Sequence, residues 1–364
     1  MNILLTSHRF FPEIGGTEIV AELLAEEFSQ AGHQTIVVTQ TTEGTGDPGS
    51  GYRREASQPA KRRIFPYLVV RRPSLRELLQ LYCWCDVVLQ NQVGLRTAWP
   101  LIFVHRPWVI SHHMWLHAGT GVRGRFKLRL LRFARNVAAS QALVDRLPIP
   151  ARVIPNPYQR DVFKEPEEPF SKKRQKDLIF VGRLIRGKGV HVLIEALREL
   201  ERRGSPRELT VVGEGPALPE LRDLAMGLSV NFVGSRRGNE LGELMATHRF
   251  LIVPSIEPEA FGNVAIEGLA CGCVVVACRN AGLVEAVGPH GVFCEPDDPK
   301  SLADAILRAN GASRLLSGVS QHLSRHDPRS VAHEYLKVLS EAVASNGHHS
   351  QRRAPGNGQI NKTV

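Results

Sequence analysis

The chain has 364 residues, 23% charged and 43% hydrophobic, a balance that excludes wholesale disorder and leaves room for two packed domains. No uncharged apolar run approaches the roughly 18 residues of a membrane-spanning helix. The formal net charge is +10, with 21 Lys and Arg against 13 Asp and Glu over residues 1–165 and 25 against 23 beyond, so an acidic partner is expected on the N-terminal side.

Ile3-Leu4-Leu5 predicts a short buried strand, and Ser7 to Glu18 the loop after it. The spacing of Ile19, Val20, Leu23, Leu24 and Phe28 predicts a helix over Thr17–Gln30, ended by Ala31-Gly32-His33 before a strand at Thr35–Thr39. In this βαβ unit Gly15 and Gly16 directly precede the helix; they expose backbone N–H groups to an anion, or they simply turn the chain. The opening Met-Asn-Ile-Leu carries no basic leader or cleavage site, which predicts a cytoplasmic chain, neither secreted nor membrane-spanning. Six cysteines without a Cys-x-x-Cys pair read as reduced core thiols.

Residues 41–63, rich in Gly, Ser, Thr and Arg, read as a mobile surface loop. Cys85–Leu89 and Trp108–Ile110 are further strands, with His112, His113 and His117 placed just past the second. A histidine there is a general base, a hydrogen-bond donor to sugar or phosphate, or a packed residue. No cysteine or acidic residue lies at ligand spacing, so no metal site is expected. Arg123–Arg135 predicts a basic amphipathic helix, with Phe126, Leu130 and Phe133 on one side. It suits an anionic membrane surface, or a solvated face over an ordinary core stripe. Nucleic acid is not expected, for want of aromatic stacking positions or a binding motif.

Glu165 to Lys176 breaks every periodicity, and the domain boundary is placed there: residues 1–165, then 166–345, then a polar tail over 346–364 expected to be disordered. The second half opens with a strand at Asp177–Val181, the loop Gly182-Arg-Leu-Ile-Arg-Gly-Lys-Gly189, and a helix over Val190–Arg202. Arg183 and Lys188 bracket a turn with exposed backbone, a clamp suited to a diphosphate. Gly213-Glu-Gly215 lacks the third small residue of a dinucleotide fingerprint, since Leu218 stands there, and hydride transfer is disfavoured.

The densest stretch is Pro254–Cys278. A buried strand at Phe250–Val253 leads into a Pro-punctuated loop, Phe261-Gly262-Asn263 turns the chain into a helix, and Gly272 closes that helix before the strand Cys273–Cys278. Glu259 and Glu267 flank the turn. Counted along a helix, their separation would be about 12 Å, too far for a hydrolytic acid/base pair and suited to gripping two parts of one extended ligand.

Phe11-Pro-Glu-Ile-Gly-Gly-Thr-Glu18, Val181-Gly-Arg-Leu-Ile-Arg-Gly-Lys-Gly189, Val212-Gly-Glu-Gly-Pro216, Phe232-Val-Gly234 and Glu259-Ala-Phe-Gly-Asn-Val-Ala-Ile-Glu267 resemble, in order, the retaining glycosyltransferases of family 4, over roughly residues 1–340. The resemblance implies an α/β GT-B fold, two Rossmann-like domains facing across a cleft, with acceptor on the N-terminal side and nucleotide-sugar donor on the C-terminal side. The last helices are then able to pack back on the N-terminal domain. It implies that Glu267 holds the donor ribose, that Glu259 faces the donor sugar, and that Arg183 and Lys188 hold the diphosphate. Phe261, Gly262 and Asn263 would supply backbone donors, Gly15 and Gly16 would close over phosphate and sugar, and His113 would be the active-site histidine. Implied as well are retention of configuration, no metal, no cofactor beyond a nucleoside diphosphate sugar as co-substrate, and a saccharide or lipid-linked acceptor at the inner membrane face. A sugar-nucleotide epimerase and a non-catalytic sugar-nucleotide binder share the same pattern.

Overall fold

The structure, a computed structural model, describes residues 1–12, 15–42, 65–116, 122–165, 176–311 and 317–351. Two parallel sheets carry alternating helices. The first contains β1 (Asn2–Ser7), β2 (Gln34–Thr39), β3 (Leu68–Arg71), β4 (Val87–Asn91), β5 (Trp108–His112), β6 (Arg135–Ala138) and β7 (Arg152–Val153), in the order β3-β2-β1-β4-β5-β6-β7. The second contains β8 (Lys176–Val181), β9 (Leu209–Val212), β10 (Val230–Gly234), β11 (His248–Val253), β12 (Val274–Cys278) and β13 (Gly291–Cys294), in the order β10-β9-β8-β11-β12-β13. Each order reverses direction beside its first strand, at β1/β4 and β8/β11, where such sheets open a crevice at their carboxyl ends.

The apolar pattern explains the burial. Strand β12, Val274–Cys278, is apolar throughout and buried on both faces, as a central parallel strand must be. The helix Val190–Arg202 sinks Val190, Leu193, Ile194, Leu197 and Leu200 against Leu178, Phe180 and Leu209 of the second sheet. The last helix, Pro328–Gln351, crosses back: Val331, Tyr335, Val338, Leu339 and Ala342 pack with Ile3, Leu5 and Val20 in the first core.

The two passages between halves touch each other. Tyr158 N–H donates to His326 O at 3.2 Å, and His326 Nδ1 lies 3.1 Å from Asn156 O.

Several sequence expectations need adjustment. The basic helix spans Val122–Leu131, because the chain must turn through Arg132–Ala134 to start β6; Phe133 therefore leaves the helix and stands 77% exposed instead of joining an apolar stripe. His112 is the last residue of β5 rather than part of the loop. Cys83 is exposed, while the other five cysteines are buried. The final helix continues to Gln351, into the stretch expected to be disordered. His117, nearly all of the 41–63 loop, and residues 352–364 lie outside the described residues.

Candidate active site

Glycine geometry sets the second-half site. Gly189 has φ +70°, and a Cβ there would sit 1.9 Å from Pro254 O, so only glycine brings the Arg183–Lys188 loop against the loop after β11. Ile256 and Glu257 N–H then both donate to Gly187 O, at 2.9 and 3.2 Å. From the far side Asn280 Nδ2 reaches the carbonyls of Ser255, Ile256 and Glu257 at 3.0, 3.2 and 2.7 Å. These bonds fix the backbone that presents Glu259.

The Glu259 carboxylate accepts from Lys188 Nζ at 2.5 Å and from Ser255 Oγ at 2.6 Å, in a half-buried ion pair. Arg183, on the same loop as Lys188, is exposed and forms no ion pair among the described residues. The carbonyls on either side of Glu259 are held from the other half: Trp115 Nε1 donates to Pro258 O at 2.8 Å and Ser140 Oγ to Ala260 O at 2.6 Å. Arg146 lies over the Trp115 ring at 4.4 Å. Glu285 adds a further tie, accepting from the Gln141 and Ala142 amides at the start of helix Gln141–Arg146.

Gly262, φ +105°, turns the chain into the helix Asn263–Ala270. Phe261 is buried, its ring 5.5 Å from that of His326, so it packs beneath the turn. The helix begins only at Asn263; Glu259 lies in the loop, and the helical-rise estimate of its distance from Glu267 does not apply. Glu267 sits inside the helix, where burial pushes its carboxyl up to about 7.

Asn263 joins the two halves. Its Oδ1 accepts from Asn156 Nδ2 at 2.9 Å, and its Nδ2 would be 2.8 Å from a Cβ on Gly16. Asn156 Oδ1 lies 2.7 Å from His113 Nδ1, and Ser111 Oγ 2.7 Å from His113 Nε2, so both nitrogens of this buried ring are occupied by protein. Burial lowers His113 to about 4. His112, on the opposite strand face, bonds Asn136 at 3.0 Å instead. Asn91 supports the first loop by donating to Ser7 Oγ and Thr17 O, both at 3.0 Å. Gly15 faces a carboxylate of its own helix: its Cβ would meet Glu18 Oε2 at 2.4 Å.

The structure thus brings Lys188 to Glu259, and His113, Asn263 and Gly16 into one neighbourhood; Gly15 adjoins Gly16 and Glu267 lies one turn beyond Asn263 on the same helix, while the Arg183 and Glu267 side chains make no hydrogen bond or ion pair to that group among the described residues. Asn156, Trp115, Ser140, Ser255 and Asn280 were missed. Asn156 had a signal in Pro155-Asn156-Pro157, a polar side chain pinned between two prolines after a strand.

Residues 14–161 match the family described as Glycosyltransferase Family 4, and residues 175–310 match Glycosyl transferases group 1. The chain belongs to the group 1, family 4 glycosyltransferases. It is 34% identical over 199 residues to the D-inositol 3-phosphate glycosyltransferase of Corynebacterium jeikeium, covering 50% of this chain and 47% of that one. It is 38% identical over 148 residues to a glycogen synthase of Mycobacterium tuberculosis, covering 38% of this chain and 36% of that one. The chain therefore spans about half the length, or less, of the curated relatives it matches. Anabaena HepE, solved in complex with UDP-glucose, superposes with a TM-score of 0.73 at 23% identity, covering 94% of this chain and 100% of HepE. That likeness establishes the GT-B fold.

Proposed function

We propose that this glycosyltransferase moves a sugar from a nucleoside diphosphate sugar to a saccharide or lipid-linked acceptor, with retention of anomeric configuration, in cell-surface glycan or glycoconjugate synthesis. The observation that carries the reading is the Lys188–Glu259 pair at the carboxyl edge of the second sheet, its loop gripped on both sides by Trp115 and Ser140 of the first half. A cation beside a carboxylate in a fixed loop matches the two ends of a sugar diphosphate: Lys188 and Arg183 neutralise the leaving diphosphate, while Glu259 accepts sugar hydroxyls. Glu267 takes the ribose hydroxyls, and Phe261-Gly262-Asn263 presents backbone N–H groups at a helix start. The crystallised complex of HepE with UDP-glucose supports a nucleotide-sugar donor.

In the reaction the anomeric carbon–phosphate oxygen bond breaks, an acceptor hydroxyl oxygen bonds to the same face of that carbon, and the hydroxyl proton leaves with the nucleoside diphosphate. His113, with both nitrogens engaged, contributes a fixed neutral surface rather than a proton acceptor. No metal and no cofactor are needed, since cationic side chains face the diphosphate. Nucleotide release from a panel of UDP-, GDP- and ADP-sugars, with and without EDTA, tests the reading; failure to bind or turn over any donor would sink it. A donor converted to another sugar nucleotide without acceptor would mark an epimerase, and binding without turnover a non-catalytic binder.

The exposed Arg125, Arg129 and Arg132 beside exposed Phe133 form a basic, partly apolar face suited to an anionic inner-leaflet surface, which supports reading the enzyme as a cytoplasmic, peripheral protein. No described helix is long and apolar enough to cross a membrane. Sedimentation with vesicles containing about 30% phosphatidylserine, lost in an Arg125→Glu/Arg129→Glu/Arg132→Glu variant, is the expected result; equal sedimentation of both proteins would refute it.

A further inference from the structure

Five side chains form one hydrogen-bonded row through the molecule. Tyr335, on the helix returning from the second half, lies 2.5 Å from Ser111 Oγ. Ser111 contacts His113 Nε2, His113 Nδ1 contacts Asn156 Oδ1, and Asn156 Nδ2 contacts Asn263 Oδ1. The amide of Asn156 gives the row a direction. Its NH2 donates toward Asn263, so its carbonyl faces the imidazole, and a carbonyl can only accept. His113 must then carry its proton on Nδ1, leaving Nε2 to accept from Ser111, whose oxygen accepts from Tyr335. Reversal requires both Asn156 and Asn263 to rotate, and Asn263 would then turn its oxygen instead of its Nδ2 toward Gly16.

We propose that Asn156 is a positioning residue that fixes His113 as the neutral Nδ1–H tautomer and ties that setting to the donor-side helix at Asn263. Asn156 occupies the passage between the halves: its own backbone carbonyl accepts from His326, and its side chain spans His113, just past β5, and the helix Asn263–Ala270. A shift of one half against the other therefore breaks one of its two side-chain bonds, and the histidine registers it. The titratable groups facing this ring are His112, next in the chain, and Tyr335; His326 bears on the Asn156 carbonyl. Burial keeps the ring neutral well below physiological pH, at about 4, and pushes the Tyr335 hydroxyl above its usual range, so neither changes charge near neutrality.

The bearing on catalysis rests on the donor-site reading above; the tautomer does not, so the two fail separately. The test uses the full chain labelled with 15N-histidine and read by long-range proton–nitrogen NMR, with the His113 signal assigned by its loss in His113→Gln. The expected signal shows protonated Nδ1 and bare Nε2, unchanged from about pH 6 to 8. A proton on Nε2, or titration inside that range, overturns the proposal. Asn156→Ala is expected to release the ring to the Nε2–H form, while Tyr335→Phe leaves Nδ1–H in place; the opposite pattern gives the setting to Tyr335 and Ser111 and overturns the proposal as well. Should Asn156→Ala not fold, Asn156→Asp carries the test. Its carboxylate still accepts from Nδ1–H, cannot donate to Asn263, and moves the imidazole titration up by about one pH unit or more. UDP-glucose binding by Asn156→Asp is expected to weaken up to about tenfold through the lost Asn263 bond. An unmoved titration in that variant refutes the contact.

Discussion

Glu267 supplies a quantitative test of the proposed donor site. Its carboxyl is raised to about 7 by burial, so near neutrality the free protein holds it about half protonated. Under the proposed role of Glu267 at the donor ribose, hydroxyls donate to its carboxylate, so the ionised form is the one expected to grip the donor. With a free-protein pKa of about 7, the ionised fraction falls from about 0.9 at pH 8 to about 0.1 at pH 6, and donor affinity falls about tenfold over that span, or about 1.4 kcal/mol. UDP-glucose suits the measurement, because its doubly substituted diphosphate has no group titrating there. His113, His248 and His326, each lowered to about 4, stay neutral throughout.

The sign for stability is opposite. A carboxyl whose pKa is raised on folding ionises more readily in the unfolded chain, so its burden grows as pH rises from about 4.5 to 7, reaching about 3 kcal/mol above that. Glu267→Gln should therefore raise the melting temperature at pH 8, leave it nearly unchanged at pH 4, and flatten the pH dependence of UDP-glucose binding seen by calorimetry. Wild-type affinity that is flat from pH 6 to 8, or a slope that survives in Glu267→Gln, would refute the reasoning.

Lys188→Met should weaken UDP-glucose binding by about tenfold or more, through loss of a charge-assisted bond, and should lower stability by about 1 kcal/mol because the pair is partly buried. Gly189→Ala places a Cβ 1.9 Å from Pro254 O at φ +70°, and should cost about 3 kcal/mol or more in denaturant unfolding. Trp115→Phe keeps a ring for Arg146 but removes the N–H to Pro258 O; turnover should fall about three- to tenfold with donor affinity preserved, and an unchanged turnover number would count against the grip on the Glu259 loop.

Much of the fold was legible because it is local. Helix Val190–Arg202 follows directly from its apolar spacing, and β11 and β12 from uninterrupted apolar runs. The Gly262 turn was legible too, because a left-handed residue at a helix start favours glycine. Which way each of the two adjacent histidines turns was not legible in the sequence: His112 ends β5 and bonds Asn136, while His113, one residue beyond the strand, bonds Asn156. Trp115 and Asn156 escaped because their partners, Pro258 and Asn263, are more than a hundred residues away and are met only once the halves are docked. The short edge strand Leu68–Arg71 and the helix Leu75–Trp84 also went unread, the first because four half-exposed residues carry almost no periodicity.

Lys188 and Glu259 answer each other's charge, and on the proposed donor-site reading this decides how binding works. Lys188 is spent on Glu259, and the Glu18 carboxylate stands over Gly15, where an anion was expected. A diphosphate must therefore displace a carboxylate from Lys188 before it gains the cation, and net affinity is a difference between two charge-assisted bonds. Glu259→Gln separates the terms. It removes the competing charge while preserving shape, so UDP, which has no sugar for Glu259 to hold, should bind a few-fold more tightly. Turnover with the intact donor should fall by about a hundredfold if, as proposed, the Glu259 carboxylate orients the sugar. Calorimetry with UDP and steady-state nucleotide release provide the two readings. Weaker UDP binding in Glu259→Gln would mean that Lys188 depends on Glu259 to hold its place, and that the resting ion pair prepares the site rather than competing for it.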